Sequence, residues 1–244
     1  MFRLCYCAFF LTCFFLRATA QSPSDELKVQ ELLQRYTESY GGLRDVNRLD
    51  SISMEGIQVQ GKQKFSFQIR KKRPSSMRYR LMKGDTSLVS IFNGQRGWLL
   101  TNKGSSASVE ELSGAKLDIL VREARFESPL YRHQEKLDVR VSMVGREQIG
   151  DTKAYILRVE EQGAPVSHYF LDPEKPHILR IDQLDDEGRV TFQTLYRDYR
   201  DVDGYPFAHV IENRIEGETV SLSRLDSVSV NPGLLSVYFE NPSL

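Results

Sequence analysis

The chain has 244 residues, with 33 lysines and arginines against 33 aspartates and glutamates, so its formal net charge is zero. This balance argues against a general nucleic-acid binder, for which a strong basic excess is expected. The length is enough for one sizeable hydrophobic core, and a single domain is therefore expected.

The first segment is an apolar run from Leu4 to Leu16, preceded by Arg3 and followed by Ala18-Thr19-Ala20. A positive start, an apolar core and a small-residue exit are typical of a secretory signal peptide, so residues 1–20 are predicted to be removed by cleavage after Ala20. An uncleaved anchor is the alternative, although about 20 apolar residues are needed to span a bilayer.

All three cysteines lie inside this run, at Cys5, Cys7 and Cys13. A bacterial lipoprotein carries a cysteine just after its cleavage point, where this chain has Gln21. We therefore expect the mature chain, residues 21–244, to be exported to the periplasm, free of cysteine and not lipidated.

A helix is predicted from Asp25 to Tyr40, because apolar residues recur there at steps of three and four. Ser24 could cap its start, and Gly41-Gly42 would end it.

After this helix the apolar pattern changes to period two, which is typical of strands with one solvated face. The short links Gly61-Lys62, Gly163-Ala164 and Glu216-Gly217 suit hairpins. The pattern predicts about eleven antiparallel strands in a strongly curved or partly closed sheet. The segments are 64–70, 77–81, 88–92, 97–101, 139–144, 154–160, 165–171, 177–183, 189–198, 207–215 and 219–230.

The helical period returns between Ser108 and Glu127, which predicts a helix inserted into the β protein. Such an insertion can either plug one open end of the sheet or act as a movable lid.

Motifs of catalysis and metal binding are absent from the sequence. It has no G-x-S-x-G, H-E-x-x-H, P-loop or dinucleotide motif. Its histidines, His133, His168, His177 and His209, lie far apart rather than at metal-ligand spacing. We therefore expect no metal, no cofactor and no enzymatic activity.

Large apolar side chains alternate along neighbouring predicted strands and would converge on the concave side of a curved sheet. They could line an apolar cleft, the usual form of a small-ligand site, or form an ordinary solid core. These candidate binding residues are Phe65, Phe67, Ile69, Met77, Tyr79, Leu81 and Trp98.

The segment from Lys72 to Tyr79, which contains Arg73-Pro74 before an aromatic strand, resembles the periplasmic lipoprotein carriers of the LolA/LolB-like family. Within that family, the chain is most similar to the branch of outer-membrane lipoprotein-sorting proteins. Further similar segments are Tyr40-Gly41-Gly42, Asn93-Gly94 with Trp98, residues 126–130, residues 169–172 and residues 199–206.

The resemblance implies a mainly β fold with some helix. An open half β-barrel is covered by an N-terminal helix and an inserted helix, around an apolar cavity that receives acyl chains. In the family, an arginine at the position of Arg73 helps to hold the closed lid and governs release of the cargo. Arg73 could instead be an ordinary surface charge at the end of a strand. Met77 stands where the family has an aromatic residue, and it keeps that position apolar.

The resulting hypothesis is a monomeric periplasmic carrier or binder of lipoprotein or lipid acyl chains, which delivers cargo toward the outer membrane. An inner-membrane donor and an outer-membrane acceptor are its expected partners. The first alternative is an envelope sensor or interaction module on the same fold that recognises lipid or peptide without transporting it. The second is a hydrolase with an unrecognised site.

Overall fold

The computed structural model describes residues 23–131 and 138–241. The predicted signal peptide, residues 1–20, and His133 lie outside the described residues. Three α-helices are present in the described part: α1 (Pro23–Glu38), α2 (Gly42–Arg48) and α3 (Gly114–Ala124). A short 3₁₀ helix, Ser236–Phe239, follows the last strand.

The rest of the described chain is dominated by one antiparallel sheet of thirteen strands. They are β1 (Ser51–Gln60), β2 (Gln63–Lys72), β3 (Ser76–Lys83), β4 (Thr86–Phe92), β5 (Gly97–Lys103), β6 (Ser106–Glu111), β7 (Val139–Ile149), β8 (Thr152–Glu161), β9 (Ser167–Leu171), β10 (Ile178–Leu184), β11 (Val190–Val202), β12 (Tyr205–Ile215) and β13 (Glu218–Val230).

The spatial order is β6-β5-β4-β3-β2-β1-β13-β12-β11-β10-β9-β8-β7, and the sheet does not close on itself. Every strand pairs with its neighbour in sequence except at two places. At the centre, β1 pairs with β13, with Ile52 opposite Val230. At the edges, the chain passes from β6 to β7 through α3 and the residues that follow it. This arrangement confirms the predicted open half barrel with an N-terminal and an inserted helix.

The predicted hairpins are present. Gly61-Lys62 joins β1 to β2, and Glu216-Gly217 joins β12 to β13. Glu216 and Gly217 both have positive φ, at 51° and 82°, as the type I′ turn requires. This turn matches the right-handed twist of its two strands, and it sets the register of the two pairs next to it, beyond which the register shifts between Arg214 and Asn213.

Both α1 and α3 pack on the same face of the sheet, which we call the inner face; the opposite one is the outer face. Residues that lie directly opposite each other on antiparallel strands share a face. The buried side of α1 contacts β7 to β9 through Val29, Leu32, Leu33 and Tyr36. The buried side of α3 contacts Met77 on β3 and Phe92 on β4.

The C-terminal residues cover part of the outer face. The guanidinium of Arg78 donates to the carbonyl of Tyr238 at 3.3 Å, and that of Arg70 lies 4.8 Å from the centroid of the Tyr238 ring. Leu234 and Phe239 are buried there. The outer face of β2 and β3 is therefore covered in part by residues 234–239.

The predicted helix over 108–127 is correct only in its second part. Residues 106–111 form β6, with Ser106 opposite Lys103 and Glu111 opposite Trp98, and α3 begins at Gly114. Continuing the sheet provides backbone hydrogen bonds that a helix start at 108 would forfeit. All six residues of β6 are exposed, so the apparent helical period there did not reflect a buried face. β1 and β6 raise the strand count to thirteen from the predicted eleven.

Candidate functional site

The inner face between α1 and α3 is the candidate site. Six of the seven predicted binding residues lie on it. On β2 and β3, Phe67 is opposite Leu81 and Ile69 is opposite Tyr79. Phe65 is opposite Gln58 of β1. Met77, at the start of β3, lies under α3.

Trp98 does not join this set, and its predicted placement on the concave side is wrong. It lies opposite Ile91 of β4, while the inner-face residue Phe92 lies opposite Gly97. Trp98 therefore points to the outer face, where it forms a small buried cluster with Val89 and Ile91. Its position on the strand is one residue out of phase with the inner face.

Gly97 is the residue that lets α3 approach the sheet. A Cβ atom at this position would lie 2.8 Å from Leu120 Cδ2 and 2.9 Å from Leu117 Cδ1. The missing side chain therefore allows these leucines to pack directly on the backbone of β5.

The middle of the inner face remains partly open. Phe67 and Met77 are buried, at 4% and 5% exposed, but Phe65, Ile69, Tyr79 and Leu81 are only half-buried. We call these four residues the apolar floor. Two cavities lie elsewhere. One, of about 440 Å³, is lined by residues of β7 and β8, and the other, of about 220 Å³, lies at the bulge of β1 and has Phe67 in its lining. The floor is thus a strip of half-exposed apolar side chains, and we call the space above it the trough.

Tyr79 lies in a part of the floor that is only partly exposed to water. Burial, and then the nearby Glu123 carboxylate, raise the pKa of Tyr79 to about 12. The Tyr79 hydroxyl donates to Gln58 Oε1 at 2.6 Å. Glu123 itself is exposed at the end of α3, although it acts on Tyr79 and also on Tyr196 of β11. The space next to α3 is therefore accessible from the solvent.

At the α1 end, aromatic side chains fill the space. The ring centroids of Tyr36 and Tyr131 are 5.0 Å apart, and Tyr40 lies 5.4 Å from Tyr36 and 5.5 Å from Tyr131. Burial raises the pKa of all three hydroxyls, so they stay neutral at physiological pH. This end of the inner face is a packed core, and the trough lies between it and α3.

The residues after α3, 125–131, cross the inner face from one arm of the sheet to the other, and we call them the strap. Its far end, Leu130 and Tyr131, is buried in the core under α1. Near α3, the Lys71 ammonium donates to the carbonyl of Arg125 at 3.2 Å, and Arg125 forms an ion pair with Glu161 of β8. Burial lowers the pKa of Lys71. The strap therefore ties β2 to β8 across the trough.

Arg73, the predicted residue of lid control, is a second attachment of the strap. Its Nη1 pairs with Glu127, and its guanidinium carbon lies 4.8 Å from the centroid of the Phe126 ring. Its other nitrogens reach α2: Nη2 donates to the carbonyl of Val46 at 2.7 Å, and Nε to that of Leu49 at 2.6 Å. A cation at these terminal carbonyls also complements the α2 dipole. Arg73 is thus no ordinary surface charge, since it joins α2 to the strap.

Sequence reasoning missed the polar part of the inner face. Thr194 Oγ1 donates to Asn213 Oδ1 at 3.0 Å, and Asn213 Nδ2 donates to Ser221 Oγ at 3.0 Å. These residues lie on β11, β12 and β13, beside Gln58 of β1. Strand alternation counted outward from the Glu216-Gly217 turn would place Asn213 opposite Val220, and only the register shift between Asn213 and Arg214 brings Asn213 opposite Ser221.

Within residues 23–131 and 138–241, no group of three or more histidine, cysteine, aspartate or glutamate side chains could hold a metal ion. His177 stacks on Tyr199 with ring centroids 4.3 Å apart, and His209 Nδ1 lies 3.0 Å from the carbonyl oxygen of Phe207. His168 is on the outer face opposite Asp182. Within the described ranges, no helix is long and apolar enough to cross a membrane.

Comparison with known proteins gives similarity at the level of the fold. No family model matches the sequence, and no curated protein is significantly similar to it. Among solved structures, a DUF1329 family protein from Desulfovibrio piger superposes with a TM-score of 0.63 at 13% identity, covering 88% of this chain and 98% of its own.

Two further structures carry names related to lipoprotein sorting. A domain from Vibrio parahaemolyticus, described as that of an outer membrane lipoprotein-sorting protein, has a TM-score of 0.60 at 13% identity, covering 87% of this chain and 97% of its own. A LolA superfamily protein from Nitrosomonas europaea has a TM-score of 0.55 at 11% identity, with 88% and 99% covered. The chain therefore has the fold of the outer membrane lipoprotein-sorting proteins, as the sequence resemblance predicts.

Proposed function

We propose that this protein is a periplasmic carrier that binds the acyl chains of lipoproteins or lipids in the trough and delivers them toward the outer membrane. The observation that carries the proposal is the apolar floor of Phe65, Ile69, Tyr79 and Leu81, which is half-exposed on the inner face next to Met77, the residue that α3 covers. The shared fold with lipoprotein-sorting proteins supports the same class of cargo.

Burial of the ligand's acyl chain would supply the affinity. Each methylene group removed from water contributes about 0.8 kcal/mol, so about a dozen give on the order of 10 kcal/mol before the ordering costs of binding. A single partly exposed ion pair contributes about 1 kcal/mol or less. The apolar floor would therefore hold the cargo, and the attachments of the strap would set the rate of release.

A carrier must also surrender its cargo. We propose that an inner-membrane donor loads the monomeric protein and that an outer-membrane acceptor unloads it. Transfer at each step has to be nearly isoenergetic, because a carrier that binds too tightly cannot pass the chain on. Binding and release of this kind need no catalytic group and no cofactor. The signal-like run over 1–20 supports export to the periplasm.

Native mass spectrometry of the protein purified from a bacterial periplasm tests the proposal directly. We expect co-purified lipid or acylated peptide, and saturable uptake of a fluorescent fatty acyl probe by the delipidated protein. A clean mass of the polypeptide alone, together with no uptake of the probe, would contradict a carrier function.

A matched pair of variants locates the binding site. Ile69 is half-buried on the inner face of β2, and Ile57 is half-buried on the outer face of β1 opposite Ser66. Ile69→Asn should weaken probe binding about ten-fold or more, because it replaces apolar contact by a polar amide. Ile57→Asn should leave the affinity unchanged. Equal effects of the two changes would show that the probe does not bind on the inner face.

A further inference from the structure

The inner face carries a row of neutral polar side chains next to the apolar floor. It runs across four neighbouring strands, β1, β13, β12 and β11, and we call it the polar row. Gln58 is opposite Ser223, and Ser221 is opposite Asn213, which is opposite Thr194. Gln58 is also opposite Phe65, so the polar row meets the apolar floor directly.

Exposure to water does not explain the polar side chains of this row, because all of them are buried or half-buried. Gln58 and Ser221 are buried, at 8% and 6% exposed, and the others are half-buried. Burying a polar group without a hydrogen bond is costly. The internal bonds from Thr194 to Asn213 and from Asn213 to Ser221 therefore offset only part of that cost.

The row keeps several hydrogen-bond donors that no described residue uses. Asn213 uses one of its two amide protons on Ser221, whose own hydroxyl proton stays available. Gln58 accepts from Tyr79 through Oε1. In the described part of the chain, nothing accepts from Gln58 Nε2 and nothing bonds the Ser223 hydroxyl. A row of unused N–H and O–H groups suits a ligand with carbonyl oxygens.

The row also carries no charge of its own. Two lysines of the neighbouring strands lie on the inner face: the Lys71 ammonium donates to the carbonyl of Arg125 in the strap, and the Lys83 ammonium donates to Gln63 Oε1 at 3.3 Å and lies 5.8 Å from the centroid of the Phe65 ring. Neither ammonium bonds a residue of the polar row. A free carboxylate in the polar row would therefore lose its hydration without gaining an opposite charge, which is unfavourable. An ester or amide carbonyl has strong acceptors and no such penalty.

We propose that the polar row binds the ester or amide carbonyl of an acylated ligand, while the hydrocarbon chain lies on the apolar floor. The inference rests on the proposed carrier function and adds the chemistry of the recognised group. The carrier then distinguishes an acyl chain that is linked to a lipid or a peptide from a free fatty acid or a plain hydrocarbon.

The test compares three ligands of similar chain length, methyl dodecanoate, dodecyl methyl ether and dodecanoate, by displacement of a bound fluorescent acyl probe. The wild-type protein should bind the ester about five-fold more tightly than the ether, the value of one net hydrogen bond. Dodecanoate should bind more weakly than the ester at pH 7.5. Tighter binding of dodecanoate would overturn the inferred preference for a neutral group.

Asn213→Leu should bring the ester-to-ether ratio close to one. Asn102 provides the matched control, because its Nδ2 donates to Ser87 Oγ at 3.1 Å in the same kind of pair, on the outer face. Asn102→Leu should therefore keep the wild-type ratio. Ser223→Ala removes a hydroxyl without breaking a hydrogen bond between described residues. If Asn213→Leu fails to fold, the ester-to-ether ratio is measured with Ser223→Ala instead, and it should fall toward one.

The outcomes separate the two proposals. If the probe binds but the ester and the ether compete equally and no variant changes their ratio, the role of the polar row is wrong and the carrier proposal stands. If the wild-type protein binds neither the probe nor any of the three ligands, both proposals are wrong.

Discussion

Arg73 is the side chain that connects the most separate parts of the site. It bonds two carbonyls at the end of α2 and pairs with Glu127 in the strap. We expect Arg73→Leu to accelerate dissociation of a bound acyl probe by up to about five-fold, because the strap loses an ion pair worth about 1 kcal/mol. Stopped-flow release into excess lipid vesicles measures this rate.

The control for Arg73 is its conservative replacement. Arg73→Lys keeps the charge but loses the planar fork that reaches both carbonyls and the carboxylate, so its release rate should lie between the other two. A large fall in melting temperature for Arg73→Leu without any change in the release rate would show that Arg73 only stabilises the fold.

Single residues show clearly what the sequence could and could not predict. The alternation within β2 and within β3 was sufficient to put Phe65, Phe67 and Ile69 on one face. Trp98 was misplaced because the turn between Phe92 and Gly97 shifts the phase of the next strand, and period-two counting cannot cross a turn of unknown geometry. The polar row was missed because apolar side chains were taken as the only sign of an inner face.

At the scale of the element, α3 depends on its contact with Gly97. Gly97→Val would place methyl groups where Leu117 and Leu120 now pack. We expect a loss of about 1–3 kcal/mol in the free energy of unfolding, the usual cost of overpacking, measured by urea denaturation. The displaced helix should also make the strap easier for a protease to cleave.

A compensating change tests whether the effect arises from this contact. Leu117→Ala removes one of the two methyl groups that a Cβ atom at position 97 would meet, so the double variant should recover part of the stability lost in Gly97→Val. Strictly additive losses in the two variants would mean that valine acts on the strand itself and not on α3.

The elements also differ in how far sequence determines them. The hairpins were predictable from local turn chemistry, as Glu216-Gly217 shows. The short helix α2 was not predicted, and its docking depends on distant groups, such as the hydroxyl of Tyr205, which donates to the carbonyl of Asp45 at 2.6 Å. The boundary between β6 and α3 was misjudged because edge-strand pairing with β5 leaves no trace in an exposed pattern.

At the scale of the whole molecule, the free energy of unfolding should decrease at acidic pH because of Glu212 on β12. Burial alone would raise the pKa of Glu212, but hydrogen bonds from Thr219, Arg214 and Arg197 outweigh it and lower the pKa to about 2. A carboxylate whose pKa is lowered on folding stabilises the native state above its unfolded value of 4.5. This stabilisation is lost as the pH falls from about 4.5 toward 2.

Glu212→Gln tests this account, since a neutral amide cannot titrate. The variant should be less stable at pH 7, and its melting temperature should fall less steeply between pH 4.5 and 2 than that of the wild type. Glu218→Gln, at an exposed position on β13, serves as the control. An acid profile that is unchanged in Glu212→Gln would contradict the assignment.

The chain path of the molecule was the least predictable feature. Period and turn signals indicate a meander, but they carry no information on which distant strands pair. The pairing of β1 with β13 joins Ile52 to Val230. The passage from β6 to β7 is equally non-local, and only the assembled sheet shows that the strap must cross the inner face.

The central pairing of β1 with β13 has a consequence for how the molecule assembles. Each half of the sheet is a series of adjacent hairpins and can form from local contacts, whereas the junction between the halves closes a loop of most of the chain and should form late. The apolar floor belongs to the first half, and all of the polar row except Gln58 belongs to the second. A ligand that contacts both the apolar floor and the polar row would stabilise this junction, so the protein with ligand bound should unfold less readily than the protein without ligand.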